Sequence, residues 1–350
     1  MLGGTLRKTA RQARQAALAG LLAIGGLNWF AKSERRRKRL LILCYHGVSL
    51  QDEHEWRPEL FVTEAFLRRR FEIIRDGGYM ILPLGEAVAR LRGGTLPGRS
   101  VVITFDDGFY NFIAAAAPLL EEFGFPATVY MSTYHCIHQR PILKLTLSYL
   151  LWRARFKALN PSILAGKKYP AALNEDGQRE EHVAELLKEA RVLSNDRDAQ
   201  QAWLGQLAAT LGLDWKNIVG SRILHLMTPE EVADIARRDF DIQLHTHRHR
   251  TPREESIFRA ELVENRRVLE KLTGRPAVHF CYPSGDHDPV FLPWLRDLRV
   301  ETATTCEAGL ARAEHDPLLL PRYVDTMAQS EVMFESWLSG AAGVLSLKSK

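Results

Sequence analysis

Short apolar runs alternate with amphipathic helical patterns over most of this 350-residue chain. Apolar runs of about five residues that are rich in Val, Ile and Leu favour buried strands. Strands that alternate with helices along a chain are typical of a parallel sheet, whose loops at the carboxyl ends of the strands carry the chemistry. The pattern predicts an α/β fold with strands at residues 40–45, 79–82, 101–105, 127–131, 241–244, 278–282, 301–305 and 318–323.

Residues 141–227 depart from this alternation. Residues 142–152 are densely apolar, and two further segments place apolar residues at helical spacing. Such faces favour packing over a binding site, so we predict a helical insert that acts as a lid or a partner surface. The insert divides the sheet-forming sequence into residues 40–140 and 228–325, and residues 326–350 form a tail. The apolar faces are Val183, Leu186, Leu187 and Ala190, and Trp203, Leu204, Leu207 and Leu211.

The first 39 residues form a segment of their own, in which basic residues flank an apolar stretch at 16–31. The stretch is short for a membrane span, which needs about 20 apolar residues. Residues 29–31 offer no clear A-x-A cleavage site, so secretion ranks third. The two leading alternatives, weighed equally, are a helix on an anionic inner leaflet and a helix packed on the domain. The sequence therefore predicts a cytoplasmic protein, or one peripheral on the cytoplasmic membrane face.

Composition and charge indicate which classes of protein and partner fit this chain. The hydrophobic fraction of 46% and the charged fraction of 25% are ordinary for a globular protein. The net charge is +5, and residues 35–39 form one basic run. No stacking motif or recognition element accompanies that run, so we predict no nucleic-acid partner. The four cysteines form no CxxC pair, which is compatible with a reducing compartment.

Two adjacent carboxylates, Asp106 and Asp107, follow the strand at 101–105, and Gly108 then permits a sharp turn. Adjacent side chains at a strand end point in different directions. One carboxylate can therefore hold a metal while its neighbour faces a substrate. The alternative is a polar turn in which an aspartate caps the next helix.

Histidines follow two other predicted strands. His245, His247 and His249 come after residues 241–244, and His46 comes after residues 40–45. Neutral imidazoles together with a carboxylate suit Zn²⁺ or a similar divalent metal. The alternatives are a basic, solvated loop around His245–His249 and a core histidine at position 46.

These stretches resemble motifs of one enzyme family. Residues 104–108 read T-F-D-D-G, and residues 245–249 read H-T-H-R-H, which fits H-[S/T]-x-x-H. In this order they resemble the polysaccharide deacetylases that share the NodB homology domain, and residues 45–48, Y-H-G-V, are similar to the opening of many members. The resemblance runs from about residue 41 to 324, interrupted by the insert. It implies a distorted (β/α)7 barrel.

The resemblance also implies an activity. It points to a metal-dependent hydrolase that removes N-acetyl groups from amino sugars in a polysaccharide or glycolipid. Asp107, His245 and His249 would bind one divalent metal ion, with zinc the first choice, and Asp106 would be the general base. His247 occupies a variable position of the motif, so we predict that it is not a ligand.

Two family features are missing. Cys281 stands where the third motif has arginine, and residues 320–322, L-P-R, replace a late L-x-H. A branch of the family with similar changes uses its opening histidine as the acid, which implies His46. Arg322 would then orient Asp106, and Tyr282 would offer its amide or ring to the substrate. The alternatives are a hydrolase of small non-sugar amides and a glycan-binding protein with a degenerate site.

Overall fold

The computed structural model describes residue 20 and residues 26–156, 173, 175–193 and 197–345. In these residues the sheet-forming sequence gives ten strands. They are β1 (Leu41–Tyr45), β2 (Gly47–Val48), β3 (Phe61–Val62), β4 (Met80–Ile81), β5 (Ser100–Phe105), β6 (Thr128–Met131), β7 (Asp241–Leu244), β8 (His279–Cys281), β9 (Thr302–Ala308) and β10 (Leu320–Val324).

Seven strands close into a parallel barrel in the order β1, β10, β9, β8, β7, β6, β5, with β5 pairing back to β1. The eighth strand of the sheet, β4, pairs with the first residues of β5, whereas β6 pairs with its last residues. Strands β2 and β3 form a separate parallel pair. This topology confirms the predicted α/β fold with a seven-stranded barrel.

Helices connect the strands along the chain. The short pair β2–β3 and the helix between its two strands, Glu53–Trp56, were not predicted from the sequence. The helices are Gly26–Lys32, Glu34–Arg37, Glu53–Trp56, Glu64–Asp76, Leu84–Arg92, Ala117–Phe123, Tyr134–His138, Leu143–Arg153, Asp176–Val192, Arg197–Thr210, Trp215–Gly220, Pro229–Arg237, Glu255–Thr273, Phe291–Asp297, Glu331–Ser339 and Ala341–Leu345, with a π-helix at Phe112–Ala116 and a 3-10 turn at Pro283–Gly285.

The strands β1 and β5 are buried along their whole length. Burial on both faces is expected for parallel strands under helices. Because all seven strands run in the same direction, their carboxyl ends meet at one end of the barrel. Asp106 and Asp107 follow β5, His46 follows β1 and His245 follows β7 at that end.

The turn after β5 requires glycine. Gly108 has φ +81°, and a Cβ placed there would overlap the Met131 sulfur. The chain then continues through a π-helical turn, Phe112–Ala116, into the helix Ala117–Phe123. The sequence predicted one helix over 111–123. Single π-turns inside helices are rare and are frequent at functional sites.

The described residues between 138 and 226 form a compact unit of their own, while the described residues up to 137 and from 227 onward form the other. The core of the smaller unit contains Leu147, Leu150, Val183, Leu186 and Leu204. The apolar faces predicted for this region are therefore packing faces. Its role as a lid or partner surface stays a prediction.

The described part of the N-terminal segment packs at the amino ends of the strands. The Arg36 guanidinium is fully buried and donates to the carbonyl oxygens of Ser100, Leu338 and Arg39 at 3.0, 2.7 and 2.7 Å. Most of the predicted apolar stretch at 16–31 lies outside the described residues. Among the helices that the structure describes, none has the length and apolarity needed to cross a membrane.

Candidate active site at the carboxyl ends of the strands

Asp106 lies at the centre of the barrel end and is almost fully buried. Both of its carboxylate oxygens accept hydrogen bonds from Arg322: Nη1 donates to Oδ1 at 2.7 Å and Nη2 to Oδ2 at 2.8 Å. Arg322 also donates to the carbonyl oxygen of Thr305 and to the Thr104 hydroxyl. A bidentate pair of this kind fixes the carboxylate plane. The structure thus brings together Asp106 and the arginine predicted to orient it.

Two thiols complete the surroundings of Asp106. The sulfur atoms of Cys281 and Cys44 lie 3.3 and 3.5 Å from Oδ2 of Asp106. Burial raises the pKa of both thiols, so they are protonated at neutral pH and able to donate. This arrangement could not be predicted from the sequence, because these cysteines follow no spacing motif.

The charge state of Asp106 follows from these contacts. Burial by itself would raise the pKa of this carboxyl group. The adjacent Arg322 charge and its two hydrogen bonds outweigh burial and hold the pKa below its usual value. Asp106 is therefore a carboxylate at neutral pH.

Asp107 points in a different direction from Asp106. Its backbone lies in the left-handed region, with φ +71°, a conformation that costs an aspartate energy and is concentrated at functional sites. Its Oδ1 atom lies 3.2 Å from Nε2 of His245 and 3.0 Å from Nε2 of His249. Burial would raise the pKa of Asp107, but the charge of a protonated His249 and hydrogen bonds donated by both histidines hold it well below its usual value when their Nε2 atoms carry protons.

A hydrogen bond at the Nδ1 atom orients the His245 ring. The Nδ1 atom lies 2.8 Å from the carbonyl oxygen of Cys281, so Nδ1 carries the proton and donates it. In the neutral ring, Nε2 then presents a lone pair toward Oδ1 of Asp107. Two acceptors 3.2 Å apart repel each other unless a proton or a cation lies between them. This donor set fits a divalent cation.

His249 completes a group of three donors. The ligand atoms of Asp107, His245 and His249 all lie within 4.8 Å of one another. The loop that carries the two histidines is sharply folded, with positive φ at Thr246 and His249. One carboxylate and two imidazoles are a common ligand set for catalytic zinc, which keeps a further position open.

His247 lies outside this group. Its Nδ1 atom is 2.8 Å from the Thr133 hydroxyl, and its Nε2 atom is 3.6 Å from a carboxylate oxygen of Glu264. The buried ring therefore faces the long helix Glu255–Thr273 instead of Asp107. This placement agrees with the prediction that His247 is not a ligand.

The histidine loop is held by side chains that the sequence did not single out. The buried Glu261 carboxylate accepts from the Arg248 amide at 2.7 Å and from Nε of Arg250 at 2.7 Å. The Asn265 amide oxygen accepts from the His245 amide at 2.9 Å. Both residues sit on the helix Glu255–Thr273, where spacing alone marks them only as helix positions.

His46 stands at the edge of the site. Its Nε2 atom lies 4.0 Å from Oδ2 of Asp106, and its side chain is 17% exposed. The ring is thus near the buried carboxylate and still reachable from solvent. This position suits a group that exchanges protons with a bound molecule.

Tyr282 is placed differently from its predicted role. Its side chain is fully buried, and its hydroxyl donates to the Leu318 carbonyl oxygen at 3.0 Å. Its amide donates to the Thr304 carbonyl oxygen at 3.3 Å. Since both donors are used and the ring packs under the site, neither amide nor ring is presented to a substrate. The prediction of direct contact therefore needs correction: Tyr282 supports the barrel end.

Two other groups of potential ligands share Asp106: one adds Cys44 and His46, and the other adds His245 and Cys281. Both oxygens of Asp106 are already bonded to a guanidinium, whose fixed positive charge opposes a second cation at the same carboxylate. Of the candidate groups in the described residues, Asp107, His245 and His249 therefore suit a metal best.

Comparisons with known proteins agree with this arrangement. A family model described as Polysaccharide deacetylase matches residues 93–149 and 199–303. The match contains Asp106, Asp107, His245 and His249, whereas His46 and Arg322 lie outside it. The poly-beta-1,6-N-acetyl-D-glucosamine N-deacetylase of Escherichia coli K12 is 34% identical over 86 residues, which is 24% of this chain and 12% of that protein. The chain thus matches only about an eighth of that relative's length.

Solved structures share the fold at low sequence identity. A Streptococcus pyogenes deacetylase, PplD, solved in complex with acetate, is 17% identical with a TM-score of 0.54, covering 83% of this chain and 94% of that one. IcaB from Ammonifex degensii is 17% identical with a TM-score of 0.53, covering 87% and 96%. These likenesses support the barrel architecture.

Proposed function

Since the chain carries a polysaccharide deacetylase domain of the NodB type, we propose that it is a hydrolase that removes N-acetyl groups from amino sugars in a polysaccharide or glycolipid. The main support for this proposal is that the ligand atoms of Asp107, His245 and His249 lie close together beside the Asp106–Arg322 pair. The reaction breaks a carbon–nitrogen bond other than a peptide bond.

We assign the metal to Asp107, His245 and His249, with zinc as the expected ion. When bound, a divalent ion supplies Lewis acidity that polarises an amide carbonyl and acidifies water. The Cys281 carbonyl fixes the His245 tautomer that leaves Nε2 available. His249, on the more exposed side of the group, borders the approach from solvent.

Amide hydrolysis also requires proton transfers. Asp106, held ionised by Arg322, accepts a proton from the attacking water. His46 donates a proton to the leaving nitrogen, because it is the partly exposed histidine beside Asp106. Arg322 positions Asp106 and cannot itself act as the acid, since guanidinium keeps its proton at these pH values.

We place this chemistry in residues 40–140 and 228–325. Residues 141–227 are proposed to control access or bind a partner. We also propose that the basic N-terminal segment, residues 1–39, contacts an anionic membrane surface, which would make the protein peripheral on the membrane's cytoplasmic face.

Acetate release tests the proposed activity. The purified protein should release acetate from N-acetylated glucosamine oligosaccharides, and a chelator should abolish the release until Zn²⁺ is restored. A panel that includes small non-sugar amides separates the two enzyme classes. Glycan binding without acetate release, in a protein loaded with metal, would instead identify a binding protein.

Metal content tests the ligand assignment. We expect His249→Ala to bind Zn²⁺ at least about tenfold more weakly than the unmodified protein, because one of three protein ligands is lost. His247→Ala is the matched control from the same loop and should retain the metal. Titration with Zn²⁺ against a competing chelator measures both affinities. Equal weakening in the two variants would contradict the assignment.

A further inference from the structure

The described N-terminal segment, residues 26–39, lies at the barrel end opposite the candidate active site. The Asn28 side-chain oxygen accepts from Nη2 of Arg99, the residue just before β5, at 2.9 Å. Arg36 reaches the carbonyl oxygen of Ser100, the first residue of β5, at 3.0 Å. Asp106 follows the last residue of the same strand. A six-residue strand spans about 20 Å, so this distance separates the segment from the site.

The segment presents an aromatic residue and several cations to solvent. Trp29 is 71% exposed, and Met80, at the start of the neighbouring strand β4, is 48% exposed. Within the described part of the chain, none of the exposed cations of this segment lies within ion-pair distance of a carboxylate. These cations are Lys32, Arg35, Arg37 and Lys38.

This combination fits the surface of an anionic bilayer. Tryptophan side chains favour the membrane–water interface. Clustered lysine and arginine residues are attracted to anionic lipid headgroups. The apolar stretch at 16–31 in the sequence runs directly into the same segment. A nucleic acid or an acidic protein would bind the cations but would not account for the exposed Trp29 side chain of the same segment.

We propose that residues 26–39 dock the barrel on an anionic bilayer by its amino-terminal end, so that the active site faces away from the lipid. The consequence for the substrate rests on the proposed deacetylase function. A site held about a barrel length from the bilayer reaches a glycan chain that extends from the surface, not a sugar attached directly to a membrane lipid. The substrate class is therefore a polysaccharide.

Vesicle sedimentation tests the docking. The full chain should bind vesicles of phosphatidylcholine with phosphatidylglycerol, and binding should weaken with salt and be much lower on phosphatidylcholine alone. Replacing Lys32, Arg35, Arg37 and Lys38 with glutamine should weaken binding by at least about tenfold. A control variant that loses four exposed cations elsewhere, Lys216, Arg237, Arg267 and Lys271, should bind normally. Equal binding by both variants, or equal binding to neutral vesicles, would overturn the docking.

Fluorescence quenching tests the orientation. Cys306 is exposed near the site, whereas the other three cysteines are buried, so a maleimide dye reports on the site end. A dye on Met80→Cys in a Cys306→Ser background reports on the amino-terminal end. On anionic vesicles with a headgroup quencher, the Met80→Cys dye should be quenched and the Cys306 dye should not. Stronger quenching at Cys306 would overturn the orientation.

Acetate release by the vesicle-bound protein completes the test. Soluble N-acetylated oligosaccharides should be hydrolysed at least as fast as an N-acetylated sugar linked directly to lipid in the same vesicles. Faster release from the lipid-linked sugar would overturn the substrate assignment. If neither substrate yields acetate with or without vesicles, the proposed activity fails, while sedimentation and quenching still decide the docking.

Discussion

Arg322→Met is expected to destabilise the folded protein by about 3–5 kcal/mol, because it leaves the buried Asp106 carboxylate without its cation. The guanidinium makes two bonds to Asp106, at 2.7 and 2.8 Å. Its loss also removes the group that fixes the plane of the proposed base, so acetate release should fall. The measurement is the free energy of unfolding in urea, with turnover measured under conditions where the variant is folded.

Two control variants show whether the loss of stability in Arg322→Met comes from the unpaired buried charge or from the loss of any arginine side chain. Arg69→Met breaks an exposed pair with Glu331, in which both side chains are about half exposed, and should cost no more than about 1 kcal/mol. Asp106→Leu combined with Arg322→Met removes both charges and should recover much of the lost stability, although the double variant will be inactive. An Arg322→Met protein as stable as the Arg69→Met control would contradict this account.

His46→Ala is expected to keep the metal and to lose about 10²–10⁴-fold in turnover, the usual scale for one acid–base group. The imidazole lies beside Asp106 but outside the group of metal donors, so its removal leaves that group intact. Acetate release and zinc content should be measured on the same preparation. His54→Ala, a nearby histidine bonded to the Ser49 hydroxyl, is the matched control and should turn over normally. Near-normal turnover in His46→Ala would assign the acid role to another group.

The outline of the site could be predicted because its residues follow strands. A parallel barrel brings the carboxyl ends of its strands together regardless of the length and conformation of its loops. Asp106, Asp107, His46 and His245 each come directly after a strand in the sequence. The pairing of Arg322 with Asp106 was anticipated only through the family resemblance, which left Asp106 without the usual arginine of the third motif and offered Arg322 in its place.

The features of the site that could not be predicted from the sequence depend on contacts between residues that are far apart in the chain. Glu261 and Asn265 hold the histidine loop from a long amphipathic helix, and nothing in its periodicity distinguishes them from other core-facing positions. The role predicted for Tyr282 was wrong because its ring packs beneath the barrel end, where its hydroxyl meets the Leu318 carbonyl. The π-helical turn after Gly108 could not be predicted, because local composition does not distinguish a π-helical turn from ordinary α-helix.

Closure of the barrel between its first and last strands has a consequence for biosynthesis. Asp106 and Arg322 are separated by 216 positions in the chain, and β1 receives its second neighbour only when β10 arrives. At a synthesis rate of about 5–20 residues per second, the interval is roughly 10–40 s. Throughout that time the nascent chain holds an aspartate without its counter-ion and an open edge on β1. The ribosome must therefore synthesise the chain through β10 before the catalytic centre can assemble. A chain truncated before β10 should be a substrate for chaperones and proteases instead of a partial enzyme.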